Sequence, residues 1–258
     1  MKKALRILLL IPSLYLVIAP VLYSHWHNTK KCSKIEITIV DSADYHFVTE
    51  RDIRNTILNK NGNPVGKTVK EVDIEAIEKT MSGYREFKTA EVFISIDGVL
   101  HIVGDQRTPI MRVMASNGGD YYIDDEGVVI RRRNLYTPRL HIVGGNVNIS
   151  QAMLNGISVL DTSIKNSILK DVFYLVDYIN RDDFWSAQID QVFVDRHDEI
   201  DLIPRVGNHV IHLGSPGDFE KKLRHLKVFY DKVLPEVGWD RYKSISLAYK
   251  DQIVCKRR

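Results

Sequence analysis

The stretch Ala90–Val103, AEVFISIDGVLHIV, decides how the first half of the chain is read. Ala90, Val92, Ile94 and Ile96 recur at every second position, the period of a strand with one buried face. Asp97-Gly98 predicts a two-residue hairpin turn, with Val99–Val103 as the returning strand. Working upstream, Ile74, Ile77 and Met81 share one face of a helix that opens near Asp73 and stops at Gly83. Before it, Tyr45-His-Phe-Val leads into Thr49, an N-cap candidate with Asp52 three residues on. Ile53, Ile57 and Leu58 then keep helical spacing until Asn61-Gly62. Ile35, Ile37 and Ile39 alternate with Glu36 and Thr38, a further half-buried strand. The order is strand, helix, helix, strand, strand. Gly66-Lys-Thr is not a phosphate loop, because its upstream glycine and strand are misplaced.

Further upstream lies Ile7–Tyr23, ILLLIPSLYLVIAPVLY, with no charged side chain. A bilayer span takes about 20 apolar residues and at least about 17, so this run suffices. Ile7, Leu8, Leu9, Leu10, Ile11, Leu14, Leu16, Val17, Ile18, Val21, Leu22 and Tyr23 would form the anchor. Pro12 and Pro20 are tolerable in a membrane span, and Tyr23 and Trp26 fall at an interfacial belt. Lys2, Lys3 and Arg6 favour a cytoplasmic N-terminus, although Lys30, Lys31 and Lys34 follow the span. A retained anchor is preferred over a cleaved signal peptide, because no A-x-A pattern follows. The expected plan is a cytoplasmic tail at 1–6 and a transmembrane helix at 7–26.

Downstream of Pro109 come short strands and turns. Asn117-Gly-Gly-Asp120 and Asp125-Glu-Gly127 are turns around Tyr121-Tyr-Ile and Val128-Val-Ile130, and Arg139–Val143 reads as another strand. Ile164, Ile168, Leu169, Val172, Leu175, Val176 and Ile179 recur at three and four, an amphipathic helix. Ile189–Val194, Ile200–Ile203 and Val210–Leu213 predict consecutive antiparallel strands. Phe219, Leu223, Leu226, Phe229 and Tyr230 form a helix between Asp218 and Pro235. Ile245–Tyr249 and Gln252–Val254 close the chain as a strand or strands. The expectation is an α+β domain with helices on one face of an antiparallel sheet.

Composition excludes several classes. Of the 258 residues, about 230 follow the apolar run, enough for one large or two modest domains. A net charge of +3 with interspersed signs does not suggest a nucleic-acid binder. The two cysteines, Cys32 and Cys255, are too few for a disulfide framework. Nine histidines invite a metal reading, yet neither His25-x-His27 nor His209-x-x-His212 is completed by a cysteine or carboxylate cluster, so solvated or edge histidines are expected. No hydrolase, zinc-protease, Walker or dinucleotide motif is present. Asp124, Asp125 and Glu126 read as solvated hairpin residues. The basic runs Arg131-Arg-Arg133 and Lys256-Arg-Arg258 read as protection of strand edges. No catalytic residue, metal, cofactor, nucleic acid or small-molecule substrate is expected.

Taken in order, these pieces resemble the FtsQ/DivIB family of bacterial cell-division proteins. The first unit, 34–108, is similar to that family's POTRA domain, through Ile77-Glu78, Phe87-Lys-Thr-Ala-Glu-Val92 and Leu100–Pro109. Asp105-Gln-Arg-Thr-Pro109 is a looser version of the family's acidic-basic-x-Pro step. Tyr122-Ile-Asp124-Asp-Glu-Gly127-Val-Val is similar to its Val-Asp-x-x-Gly-x-Val hairpin, and Pro138-Arg-Leu140 with Gly144 to its Leu-Pro-x-Leu-x-Gly step. Val206-Gly207-Asn-His-Val-Ile-His-Leu213-Gly214 with Lys222-Leu223, and Ile245-Ser-Leu247-Ala-Tyr249, complete the resemblance over a β-domain at 109–258.

The resemblance implies a non-enzymatic, single-pass scaffold of the divisome, with its C-terminal domain in the periplasm and enrichment at the septum. It implies that the β-domain binds an FtsB–FtsL-type coiled coil, which connects to the septal peptidoglycan synthase complex. The implied contact is an exposed last strand that a partner extends by β-augmentation. Here that strand would be Ser246–Val254, through Ser246, Leu247, Ala248, Tyr249, Lys250, Gln252, Ile253 and Val254. Tyr249 matches the family's contact tyrosine, and a tyrosine there would equally suit a core strand. Ala248 replaces the motif's arginine. The competing readings are a POTRA-bearing component of protein export or outer-membrane assembly, and a secreted cell-wall enzyme.

Overall fold

The computed structural model describes residues 18, 30–40, 47–132, 137–165 and 167–258. The expected anchor, apart from Ile18, lies outside the described residues, as do Tyr45, His25 and His27. Among the described residues no helix is long and apolar enough to cross a membrane. The chain divides into two compact units, Met1–Gln106 and Arg107–Arg258.

The first unit runs β1 (Lys34–Val40), α1 (Glu50–Asn61), α2 (Ile74–Ser82), β2 (Phe87–Ile94) and β3 (Val99–Gln106). Its sheet order is β1-β3-β2, with β1 parallel to β3 and β2 antiparallel to it. Local chemistry sets the helix ends. Thr49 and Asp52 form a reciprocal capping box, Asp73 accepts from the Ala76 amide at 2.9 Å, and Gly62 and Gly83 follow the last turns. Ile53 and Ile57 of α1 and Ile77 and Met81 of α2 are buried, as are Ile35, Ile37, Leu100 and Ile102 of the sheet.

The β2–β3 hairpin departs from the expected two-residue turn. The Ser95 amide donates to the Val99 carbonyl at 3.0 Å and the Gly98 amide to the Ser95 carbonyl at 2.9 Å, which encloses three residues. Gly98 closes the loop at φ +83°, and a Cβ there would stand 2.6 Å from the Lys31 carbonyl oxygen. A three-residue loop ending at positive φ reconciles the connection with strand twist, and only glycine fits this close approach.

The second unit contains β4 (Pro109–Met114), β5 (Asp120–Asp124), β6 (Val129–Arg131), β7 (His141–Gly145), α3 (Gln151–Leu154), α4 (Ile168–Arg181), α5 (Asp183–Gln188), β8 (Ile189–Val194), β9 (Ile200–Pro204), β10 (Val210–Gly214), α6 (Phe219–Lys232), α7 (Leu234–Val237), β11 (Tyr242–Ser246) and β12 (Val254–Arg257). The nine strands lie in the order β12-β11-β10-β9-β8-β7-β4-β5-β6. The expected antiparallel sheet is instead mixed, since β4–β7, β7–β8 and β10–β11 pair in parallel. Parallel neighbours require a crossover of a dozen or more residues. The segments carrying α3–α5 and α6–α7 supply the last two, and the β5–β6 hairpin lies within the first. Helix α4 begins at Ile168, not Ile164, because Ile164 sits in a turn closed on Asp161 and Ser167 caps the helix. Leu169, Val172, Val176 and Ile179 of α4 share one core with Leu223, Leu226 and Tyr230 of α6 and with Met111, Val143, Val192, Leu202, Ile211 and Ile245 of the sheet.

Asp124 overturns its expected solvated role. It is fully buried and accepts from Arg107 Nη1 at 2.6 Å, from the Val128 amide at 2.6 Å and from the Glu126 amide at 3.0 Å. Arg107 also reaches Glu126 at 3.0 Å. Burial pushes the Asp124 carboxyl up, and Arg107 and the two amides oppose that shift. The pair therefore locks the entry to β4 onto the β5–β6 turn. Breaking such a pair from one side strands the other charge and costs about 3–5 kcal/mol. We expect Arg107→Ala to lower the urea unfolding free energy of the C-terminal unit by about that amount. Tryptophan fluorescence would follow the transition, and a change below about 1 kcal/mol would show the pair to be dispensable.

Candidate partner-binding edge

The C-terminal end of the sheet is built by β10, β11 and β12. Ile211 and Ile245 lie opposite one another in the parallel pair and are fully buried, so the core fixes the register. The Leu247 amide donates to the His212 carbonyl at 2.8 Å, extending this ladder one residue beyond β11. Strand β12 returns antiparallel, pairing Ser246 with Val254 and Ile245 with Cys255. It is the last strand of the sheet, so its outer backbone row has no strand neighbour among the described residues.

The sequence-predicted contact residues divide along this hairpin. The continuous strand expected over Ser246–Val254 is not formed. Ser246 ends β11, Val254 begins β12, and the residues between them are a connection. Asp251 takes a left-handed conformation at φ +57°, and the Gln252 amide donates to the Tyr249 carbonyl at 3.3 Å. A tight turn of this kind cannot continue a ladder. Leu247 is buried in the core and Ile253 packs partly against it. Ala248, Lys250 and Gln252 are exposed, and Tyr249 is 60% exposed. Tyr249 is therefore a surface residue and not a core one.

The turn stands away from the start of α6 and leaves a groove of about 360 Å³. It is lined by Leu247, Ala248 and Ile253 from the turn and its flanks and by Lys221, Lys222 and His225 from α6. Lys222 donates to the Leu213 carbonyl at 3.0 Å and the Ser215 carbonyl at 2.7 Å, tying α6 to the end of β10. Partial burial lowers its ammonium. Lys221 pairs with Asp251 at 2.6 Å, which holds the Asp251 carboxyl below its usual range. Gly214, at φ +74°, lies so close to the turn that a Cβ would come 3.0 Å from the Ala248 Cβ. Ala248, the departure from the family motif, is thus a short side chain facing a glycine. The α6 lining residues are not marked as a site by any sequence pattern, although Lys222-Leu223 belongs to the motif that the resemblance rests on.

Two histidines depart from the expected solvated or edge placement. His141 and His209 are both buried. His209 Nε2 lies 2.7 Å from the Tyr230 hydroxyl, beside Trp239, and burial lowers both imidazoles. Next to His209, the Asn208 carbonyl accepts from Arg258 Nη2 at 2.7 Å, so this loop also holds the chain end. Among the described residues no cluster of three or more His, Cys, Asp or Glu is arranged to hold a metal ion.

Comparison with known families places the chain. The family described as FtsQ/DivIB, C-terminal related, matches residues 108–256, more than half of the sequence. The chain belongs to this FtsQ/DivIB family. A POTRA-like domain matches residues 30–103. No curated protein matches. FtsQ/DivIB proteins are division-site membrane proteins that act as non-enzymatic scaffolds within division complexes. The β5–β6 hairpin around Asp124 and the β10 end with Lys222 both lie within the matched residues.

The buried histidines give the C-terminal unit a pH dependence. In the unfolded chain a histidine binds its proton near pH 6.5, whereas these two stay neutral to lower pH in the fold. Stability is thus fully present above about pH 6.5 and falls as pH drops below it, because only the unfolded state takes up protons there. Thermal melts across that window should show the decline, and His209→Gln should flatten it. An unchanged slope in the variant would remove His209 from the account.

Proposed function

We propose that this FtsQ/DivIB protein is a bitopic scaffold of the bacterial divisome, with residues 1–6 cytoplasmic, 7–26 spanning the inner membrane, 34–108 forming the POTRA domain and 109–258 the β-domain. The β-domain captures an FtsB–FtsL-type coiled coil and so links it to the septal peptidoglycan synthase complex. The observation that carries this reading is the outer row of β12, which has no strand neighbour among the described residues and lies beside the exposed Tyr249 turn. An extended partner segment pairs with that row and draws its affinity from main-chain hydrogen bonds. Side chains of Ser246, Ala248, Tyr249, Lys250, Gln252 and Val254 then set register, while Leu247 and Ile253 hold the turn against the core. Tyrosine suits this role because it offers a large rigid contact at low entropic cost.

Tyr249→Glu tests the reading. The substitution places a carboxylate where the aromatic ring is exposed, so the thermal transition should be unchanged while capture of the coiled-coil pair weakens by about 30-fold, the scale of one hot-spot residue. Pull-down from the native bacterium, together with septal localisation of a fluorescent fusion, would register the loss. Normal capture and a normal mid-cell band in the variant would overturn the assignment of this turn.

A further inference from the structure

The start of the first unit is held by a set of hydrogen bonds. The Cys32 amide donates to the Lys67 carbonyl and the Gly66 amide to the Cys32 carbonyl, both at 2.8 Å. The Val69 amide donates to the Lys30 carbonyl and the Ser33 amide to the Gly98 carbonyl, again at 2.8 Å. Lys30 Nζ adds a 2.7 Å bond to the Ile96 carbonyl. Residues 30–33 are thereby clamped between the 63–69 loop and the tip of the β2–β3 hairpin. If the span ends at residue 26, residue 30 is four residue steps away, about 14 Å at most. Both the loop and the hairpin tip must then stand at the lipid headgroups.

Their surface chemistry fits that position. Val65 at the loop and Ile96 at the tip are 40% and 57% exposed, large apolar side chains only partly covered by the fold. Around them, segments 30–33, 63–71 and 95–98 contribute Lys30, Lys31, Lys67 and Lys70 against Glu71 and Asp97, a surplus of two positive charges. Lys31 and Lys67 are exposed. Apolar side chains with flanking lysines are what an anionic bilayer surface accepts. Val40, at the other end of β1, is also exposed but lies seven strand residues from this end, roughly 20 Å away.

We propose that the first unit rests on the membrane through Val65, Ile96 and the surrounding lysines, with an anionic bilayer surface as the partner. The inference rests on the anchor assigned above. The test uses the full chain reconstituted into phosphatidylcholine vesicles with and without phosphatidylglycerol. In a Cys255→Ser background, where Cys32 is buried and shielded from label, Val65→Cys, Ile96→Cys and Val40→Cys each receive an environment-sensitive fluorophore. A headgroup nitroxide should quench the labels at 65 and 96 about threefold more than at 40, and more strongly with phosphatidylglycerol present. Adding Lys31→Glu and Lys67→Glu should reduce that quenching. Equal quenching at all three positions, in protein that floats with the vesicles, overturns the proposal and leaves the anchor standing. Protein that fails to float with the vesicles overturns both.

Discussion

Nine strands laid side by side without closure leave, among the described residues, two rows of backbone N–H and C=O groups without strand partners, and the C-terminal unit is arranged around where those rows fall. One belongs to β6, three residues long and ending in Arg131. The other belongs to β12, four residues that include Lys256 and Arg257. Short length and positive charge are common devices against indiscriminate edge pairing. The two edges nevertheless differ. Among the described residues only β12 is flanked by an exposed aromatic turn and a groove lined in part by Leu247, Ala248 and Ile253. An edge that is merely protected needs neither feature.

The hairpin that carries this edge is held by packing more than by charge. The Lys221–Asp251 pair is about half exposed at both partners, and such pairs contribute about 0–1 kcal/mol. Burial of Leu247, by contrast, removes an entire leucine side chain from water, worth about 1.5–3 kcal/mol. Packing therefore fixes where the turn begins, and the ion pair only biases how it closes. The same division holds at the other end of the sheet. There the buried Arg107–Asp124 pair does not add much net stability over an apolar contact, but it specifies one arrangement, since either partner alone would be a stranded charge.

Much of this was legible in the sequence, and the failures have identifiable physical causes. The capping box at Thr49, the caps at Asp73 and Gly62, and the βααββ order follow from local chemistry and were read correctly. Strand direction is legible where short turns join neighbours, as along β2–β3 and β8–β9–β10, but not at the parallel pairings, because period-two alternation is the same in both and the crossovers decide. Asp124 looked solvated because three consecutive carboxylates beside a glycine usually are. Its burial depends on Arg107, seventeen positions away, and no local pattern announces that pairing. Buried His141 and His209 fail for the same reason, since their neighbours come from other elements. At the candidate edge, the strand signal through Ile245, Leu247 and Tyr249 was real as far as Leu247. Beyond it the chain must reverse at Asp251, and positive φ at an aspartate leaves no trace in hydropathy.

The charge on β12 bears on which chains can use the edge. A second copy pairing antiparallel through the same strand would bring Lys256 and Arg257 of one chain near those of the other. Like charges opposite one another on neighbouring strands are destabilising by about 0.2–1 kcal/mol per pair. A partner strand that is neutral or acidic meets no such penalty, and its backbone gains the same hydrogen bonds. Main-chain pairing alone cannot discriminate, because every extended segment offers the same donors and acceptors. Specificity at this edge must therefore come from side chains beside the ladder: the cations of β12 that disfavour self-pairing, and Tyr249 and the groove that reward a segment with something to place there.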